Sequence, residues 1–144
     1  MEQGGLHGTI PTEIGKLSKL YFLDMDFNHL SGSLPSELFT LPQMEQLDLN
    51  NNFLSGNIER LQSLKRLEFL QLHNTYITGT VPSSIGLLTN LNTLTLHNTS
   101  VIGTVPSSVC QLRANGSLVS FITDCLTPNP KVVCNCCSGC RRGK

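Results

Sequence analysis

The residues LTNLNTLTLHNTSVIGTVPSSV, numbered 88–109, repeat the pattern of the residues LKRLEFLQLHNTYITGTVPSSI, numbered 64–85. Each stretch begins with leucines three residues apart, continues with a Leu-x-Leu alternation and ends in a Gly-x-hydrophobic-Pro segment. Units of this kind recur along the chain at spacings of 24, 23, 24 and 24 residues. A fixed period of this length indicates a stack of similar structural units. The leucines that begin the units are Leu17, Leu41, Leu64, Leu88 and Leu112.

The Leu-x-Leu alternation of each unit predicts a short strand. A period of two places the leucines inward and the intervening residue outward, as in residues 70–72. Neighbouring units would stack these strands into one parallel sheet. The glycine that follows allows a backbone conformation or close approach that a Cβ would obstruct, and the proline fixes φ as the chain turns. These positions are Gly32, Gly56, Gly79, Gly103, Pro35, Pro82 and Pro106, with Glu59 in place of one proline.

A polar residue follows each strand at the point where the chain turns inward. Asn28 and Asn52 hold this position in two units, where a side-chain amide can satisfy backbone groups that stacking buries. Thr75 and Thr99 hold it in the next two units, and a hydroxyl makes fewer hydrogen bonds than an amide. We therefore expect weaker side-chain hydrogen bonding at this position in the C-terminal half.

The repeated pattern resembles the plant-specific class of leucine-rich repeat, which is found in receptor-like kinases, receptor-like proteins and polygalacturonase-inhibiting proteins. The resemblance covers residues 5–112, as one partial and four full units. It implies an α/β solenoid, a right-handed leucine-rich repeat superhelix with a parallel sheet on its concave face. It also implies turns and 3-10 segments on the convex face, with a second short strand at the glycine segment.

The C-terminal end of the chain is dense in cysteine. We predict that these cysteines form disulfides, which indicates an oxidising compartment. A zinc site that uses Cys137 and Cys140 is a rival, although no second Cys-x-x-Cys or histidine pair stands at a usual distance, and free thiols are a third reading. Six cysteines allow fifteen pairings, among which the sequence does not choose. The cysteines are Cys110, Cys125, Cys134, Cys136, Cys137 and Cys140.

We divide the chain into leucine-rich repeats at 1–112 and a cysteine-rich cap at 113–144. Residues 113–116 are predicted as a short insertion, and residues 118–125 as one last strand. Residues 5–11 match the second half of a unit, so the chain is expected to be the C-terminal piece of a longer array, or a degenerate or truncated gene product. A signal peptide is then expected upstream of residue 1, because the N-terminus itself shows none.

Charge and sequons bear on location and partners. Ten basic and ten acidic residues balance, so nothing favours nucleic acid or an anionic membrane, and the basic tail 141–144 is predicted to be a solvated end. No stretch approaches the roughly 20 apolar residues of a membrane-spanning helix. Asn98 and Asn115 begin Asn-x-Ser/Thr sequons and are predicted glycosylation sites. With the cysteines, they favour an extracellular or cell-surface location.

The outward strand positions of such a solenoid form four columns on the concave face, each repeating at roughly 4.8 Å. The first contains Phe22, Gln46, Phe69 and Thr93, the second Asp24, Asp48, Gln71 and Thr95, the third Asp26, Asn50, His73 and His97, and the fourth Phe27, Asn51, Asn74 and Asn98. We predict ligand contact for the first three columns except Thr93, and for Phe27. Phe22, Phe27 and Phe69 are the first candidates for anchoring, unless each ring packs against its neighbour. For Phe53 and Tyr76, just past the strands, a packing role is at least as well supported.

An enzymatic reading finds little support. Asp24 and Asp48 could reach the roughly 5 Å carboxyl spacing of a retaining glycosidase, but they would project side by side from a smooth surface. His73 and His97 could bind a metal, but on an open face solvated histidines are favoured. The sequence lacks a kinase loop, a nucleophile elbow and a phosphate-binding glycine motif. We therefore predict no catalytic residues, no metal and no cofactor.

These features together predict an extracellular recognition module that binds a protein, peptide or glycan partner, similar to a receptor ectodomain or a secreted inhibitor. One alternative is a structural or adhesive surface protein whose repeats serve assembly. Another is a truncated fragment with no independent function, because an uncapped solenoid end exposes its apolar layer. We expect no nucleic-acid partner, and any membrane anchor would lie in the parent protein.

Overall fold

The computed structural model describes residues 5–126 and 130–143, which wind into a solenoid with two parallel sheets. We call the sheet that carries the Leu-x-Leu segments the main sheet. Its strands lie side by side in chain order, and neighbouring units pair in register, as Leu23 with Leu47 and Leu47 with Leu70. The main-sheet strands are Phe22–Asp24, Gln46–Asp48, Phe69–Gln71, Thr93–Thr95, Ser120–Thr123 and Gly139–Cys140.

A second six-stranded sheet lies at the glycine segments, where the resemblance implied short strands. Its strands are His7–Gly8, His29–Ser33, Phe53–Gly56, Tyr76–Thr80, Ser100–Thr104 and Val132–Val133. The return to the next unit passes through 3-10 turns and, at the end, one α-helix. The 3-10 segments are Thr12–Lys16, Ser36–Thr40, Leu61–Ser63 and Ser83–Leu87, and the helix is Ser107–Ala114. The predicted leucine-rich repeat solenoid is confirmed.

Leucines from every unit fill the space between the two sheets and the 3-10 turns. Leu47, Leu70 and Leu94 stand at equivalent positions and are completely buried. Full burial of a leucine side chain contributes about 1.5–3 kcal/mol, so the repeated leucines dominate the stability of the stack. Burial is less complete near the N-terminal end of the described residues, where Ile14 and Leu23 keep 7% and 8% of their surface exposed.

The glycines of the second sheet adopt the backbone conformation that the sequence predicts. Gly32, Gly56, Gly79 and Gly103 have φ between 79° and 93°, a region that residues with a Cβ rarely enter. The fourth column of the face also has positive φ, which the repeat pattern did not predict. Phe27, Asn51, Asn74 and Asn98 have φ of 50°, 53°, 55° and 57°.

Hydrogen bonding at the inward turn is weaker in the C-terminal half, as expected. The Asn52 amide donates to three backbone carbonyls, those of Met25, Leu49 and Asn50, and its oxygen accepts from the amide N–H of Leu30. Thr75 at the equivalent position donates one bond, 2.6 Å long, to the carbonyl of Leu72. A hydroxyl carries one donor against two on an amide, which accounts for the difference.

The six cysteines form three disulfides, so the disulfide prediction is confirmed over the zinc site and free thiols. Cys110–Cys136 joins the α-helix to the cap, and Cys125–Cys140 joins neighbouring segments of the main sheet. Cys134–Cys137 closes a short loop.

The predicted short insertion is present, because Phe121 pairs with Leu94 across 27 residues, whereas Leu94 pairs with Leu70 across 24. Residues 113 and 114 of the insertion lengthen the helix, which ends where Gly116 adopts a φ of 85°. The prediction for the last strand was wrong in detail. The last strand is confined to Ser120–Thr123, and the cap adds the strands Val132–Val133 and Gly139–Cys140 to the two sheets.

The division of the chain at residue 112 stays a prediction. Residues 1–4 and Lys144 of the basic tail lie outside the described residues. Within the described ranges, no helix combines the length and hydropathy that crossing a membrane requires.

Candidate functional site

The main sheet aligns the predicted columns of outward side chains across neighbouring units. In the first column Phe22 lies opposite Gln46, and Phe69 lies opposite Thr93. The second column runs in the same register through Asp24, Asp48, Gln71 and Thr95. The columns therefore form one periodic surface, while ligand contact by their residues stays a prediction.

The asparagines of the fourth column form a ladder of side-chain amides. Asn98 Nδ2 donates to Asn74 Oδ1 at 2.6 Å, and Asn74 Nδ2 donates to Asn51 Oδ1 at 2.7 Å. Asn51 in turn donates to Asn50 Oδ1, which joins the ladder to the third column. Asparagine suits this position because its short polar side chain tolerates a positive φ.

Three carboxylates cluster at the N-terminal part of the face. Asp24, Asp26 and Asp48 each offer an oxygen within 4.8 Å of the others. Asp48 is buried, and its oxygens accept from the amides of Asn50 and Gln71, the latter at 2.6 Å. Hard cations bind carboxylate oxygens at this spacing. Among the described residues, these three aspartates are the one group of side chains close enough together to hold such an ion.

The carboxylates also perturb one another. Burial, followed by repulsion from Asp24, raises the pKa of Asp26. Burial likewise raises the pKa of Asp48, against the hydrogen bonds from Asn50, which lower it. The one side-chain ion pair among residues 5–126 and 130–143 joins Arg66 to Glu45. Within these ranges, no basic side chain therefore neutralises the negative charge of the three aspartates.

The two histidines of the third column are not the solvated side chains that the sequence favoured. Their rings stack at a centroid distance of 4.5 Å with 13° between planes, and both are half-buried. His73 Nδ1 lies 2.9 Å from the hydroxyl of Thr95. Burial, with a smaller contribution from His97, lowers the pKa of His73 to about 4. Burial also lowers the pKa of His97, while Asp124 opposes the shift, so the pair is neutral at pH 7.

The three candidate anchoring phenylalanines differ in exposure. Phe22 and Phe27 are 48% and 49% exposed, whereas Phe69 is half-buried within its column. The ring pairs of the described residues include none of the three.

A row of aromatic rings on the second sheet was not among the predicted site residues. His29 and Phe53 stack at 5.9 Å, and Phe53 and Tyr76 at 6.3 Å, with planes within 19° of parallel. Half of the Phe53 and Tyr76 surface stays exposed. The signal was present in the sequence, because these residues occupy one position of successive units at spacings of 24 and 23.

A groove of about 330 Å³ separates this aromatic row from the amide ladder. We call it the aromatic groove. Two phenylalanines and a histidine line it together with four asparagine side chains. Its lining residues are Phe27, Asn28, His29, Asn51, Asn52, Phe53 and Asn74.

The two sequons have different surroundings. Asn98 is half-buried, and its side chain belongs to the amide ladder. Thr99, the middle residue of this sequon, is buried and donates its hydroxyl to the carbonyl of Leu96. Asn115 follows the α-helix and is exposed.

Comparison with known proteins agrees with the repeat pattern. The family profile described as Leucine Rich Repeat matches residues 19–41 and 66–88. The plant peptide hormone receptor RGFR1 in complex with RGF2 is 32% identical with a TM-score of 0.75, over 83% of this chain and 19% of that one. The ectodomain of the receptor kinase SOBIR1 from Arabidopsis thaliana is 30% identical with a TM-score of 0.75, over 88% of this chain and 65% of that one.

A third structure is the ectodomain of the Arabidopsis receptor kinase HAESA in complex with an N-terminally extended IDA peptide hormone. It is 29% identical with a TM-score of 0.77, over 96% of this chain and 26% of that one. The chain thus spans less than two thirds of each of these ectodomains. No curated protein matches it by sequence. Fold and periodic face together define a leucine-rich repeat solenoid. The resemblance to the plant-type extracellular leucine-rich repeat family is confirmed.

Proposed function

We propose that this chain is a recognition module that binds a peptide or protein partner across the main-sheet face and catalyses no reaction. The observation that carries the proposal is the register of the columns, which holds polar and aromatic side chains in a fixed periodic array. Fixed side chains lose little conformational entropy on binding, so such an array favours recognition. Exposed Phe22 and Phe27 supply the aromatic contacts that interfaces commonly use.

The similar structures support a binding role of this kind. The plant peptide hormone receptor RGFR1 was solved in complex with RGF2, and the receptor kinase HAESA with the peptide hormone IDA. Because this chain spans only part of those ectodomains, the residues that meet a partner here are proposed from its own face. A glycan partner is a second outcome that the same experiments would detect.

Substitution of the face tests the proposal. The disulfide-bonded chain would be immobilised and exposed to secreted proteins of its native host, with captured species quantified by mass spectrometry. We expect a partner that is retained by the wild type and lost by the Phe22→Ala/Gln46→Ala double variant. Leu87→Ala is the matched control, because Leu87 is 57% exposed on a 3-10 turn away from this face. A partner that the double variant retains as well as the wild type does would contradict the assigned face.

The rival assembly role predicts a different result. If the repeats serve self-association, sedimentation of the purified chain would show concentration-dependent oligomers that the face variant abolishes. A monomer throughout the accessible concentration range would remove this alternative.

We further propose an extracellular location, with the cap at 113–144 closing the solenoid and Asn115 as a glycan acceptor. Three disulfides are consistent with an oxidising compartment. Asn98 stays a second predicted acceptor, although its Nδ2, the atom that a glycan would occupy, already donates to Asn74. Intact mass of the native protein before and after reduction and glycosidase treatment tests this. Six free thiols without glycan would contradict it.

A further inference from the structure

The aromatic groove has walls that are already organised in the free protein. The rings of His29, Phe53 and Tyr76 stack on one another, so their faces point along the row and their edges point outward. A sugar ring that packs on aromatic faces therefore finds few of them free, whereas apolar side chains can pack against the exposed edges. The volume of about 330 Å³ accommodates a few side chains.

The opposite wall offers hydrogen bonds in the proportion that a peptide backbone uses. The Asn74 side chain donates one hydrogen bond to Asn51 and accepts one from Asn98. The Asn51 side chain donates one to Asn50 and accepts one from Asn74. A side-chain amide has two of each, so both asparagines keep one donor and one acceptor. A peptide unit presents one donor and one acceptor per residue.

Phe27 narrows the groove at a conformational cost. It adopts a φ of 50° at a position where the next three units carry asparagine, yet its ring stays 49% exposed. A bulky residue in the left-handed region costs about 1–2 kcal/mol, and little burial of its own ring offsets that cost. The ring lines the groove, which is where its apolar surface can be covered.

The negative charge beside the groove indicates that its ligand carries a basic group. Asp26 directly precedes Phe27, and Asn50 bonds both to Asp48 and to Asn51 of the groove wall. The cluster of Asp24, Asp26 and Asp48 thus adjoins the groove. No cation of the described chain pairs with it. A basic group would relieve the mutual repulsion of these carboxylates.

We infer that the aromatic groove binds an extended peptide segment that carries an apolar side chain with a lysine or arginine next to it. The apolar side chain packs between Phe27 and Phe53, the peptide backbone bonds to Asn51 and Asn74, and the basic group meets the carboxylate cluster. This rests on the proposed recognition function and names the partner chemistry for one edge of the face.

Selection from a random heptapeptide library tests the inference without a known partner. The library would be panned against the complete disulfide-bonded chain, and selected peptides titrated calorimetrically. We expect enrichment of lysine or arginine within two positions of leucine or phenylalanine. Phe53→Ala should weaken these peptides about tenfold, and Asp26→Asn about threefold with a reduced salt dependence. Phe53→Leu, which keeps apolar volume, and Leu87→Ala as control should retain most affinity.

Each outcome decides the inference. Selected peptides that lack basic residues, or no selected peptide at all, would overturn it. Peptides that tolerate Phe53→Ala but are lost with Phe22→Ala/Gln46→Ala would also overturn it, while leaving recognition across the main sheet intact. If the immobilised chain captured no secreted protein but the selected peptides still bound the groove, recognition across the main-sheet columns would be contradicted and the groove inference would stand.

Discussion

Phe27 shows how one residue can depart from the repeat while the fold holds. Its backbone shares the left-handed conformation of Asn51, Asn74 and Asn98, but its side chain cannot join their amide ladder. The hydrogen bonds of the neighbouring units fix the backbone there, including the bond from the Phe27 N–H to the carbonyl of Asn50. Tertiary context therefore overrides the local preference of phenylalanine.

Phe27→Asn should raise the free energy of unfolding by about 1 kcal/mol, because asparagine tolerates the positive φ and extends the ladder. Denaturant unfolding monitored by circular dichroism measures the change. Phe22→Asn is the matched control, since Phe22 is equally exposed but lies in a strand, and it should bring no gain. A loss of stability in Phe27→Asn would show that packing of the ring outweighs backbone strain.

His73 links stability to pH. Its pKa falls from 6.5 in the unfolded chain to about 4 in the folded one, so the unfolded state binds a proton first. The stability that the neutral ring provides is complete above pH 6.5 and is lost as pH falls towards 4. Because solvent screens the half-exposed ring, the loss is about 1–2 kcal/mol.

The raised pKa values of Asp26 and Asp48 act in the opposite sense, since those carboxyls gain stability on protonation. Comparison with a His73→Gln variant cancels that contribution. The wild type should lose stability relative to His73→Gln between pH 6.5 and 4, in unfolding curves taken at several pH values. Parallel pH profiles for the two proteins would disprove the linkage.

At the scale of elements, the three disulfides should differ in value. In a chain-entropy description, the 26-residue separation of Cys110 and Cys136 is worth about 3.5 kcal/mol, and the 15-residue separation of Cys125 and Cys140 about 3 kcal/mol. The three-residue separation of Cys134 and Cys137 constrains the unfolded chain far less.

Paired cysteine-to-serine variants measure this. Replacing Cys110 and Cys136 should lower the unfolding midpoint most, because the α-helix also loses its tie to the cap. Replacing Cys134 and Cys137 should lower it least, and this variant serves as the internal control. An equal loss from all three pairs would mean that folded-state packing around the sulfurs, and not loop closure, sets their contribution.

The sequence specified the elements that burial enforces. A leucine on the wrong face of a strand would expose its side chain, so period and alternation determine the main sheet, its register and its columns. The left-handed column escaped notice because Asn51, Asn74 and Asn98 read equally well as outward face residues, although asparagine favours such a conformation. The aromatic groove escaped because one wall lies in the turns that follow the main-sheet strands, while the other lies at the start of the second-sheet strands. Disulfide pairing depends on approach in three dimensions, which spacing alone does not determine.

At the scale of the whole chain, the described residues form a one-dimensional stack whose two ends differ. Stability in such a stack is the sum of unit terms and nearest-neighbour interfaces, so a unit with one neighbour is held by half as many contacts. Within residues 5–126 and 130–143, the strand Phe22–Asp24 is an edge of the main sheet. Leu6, Leu17 and Tyr21, near this end, are more than half exposed. The opposite edge, Gly139–Cys140, is tied by Cys125–Cys140.

Hydrogen exchange should therefore run as a gradient along the stack. Backbone amides of residues 20–30 should exchange first, those of residues 69–97 last, and those of the disulfide-tied cap at an intermediate rate, because local opening starts where the fewest contacts must break. Mass spectrometry of peptic fragments after quenched reduction gives the rates. In the variant without Cys125 and Cys140, the C-terminal edge should exchange as early as the N-terminal one. Uniform exchange across all units in the wild type would instead mean that the stack opens only as a single cooperative body, in which case the unequal ends have no energetic consequence.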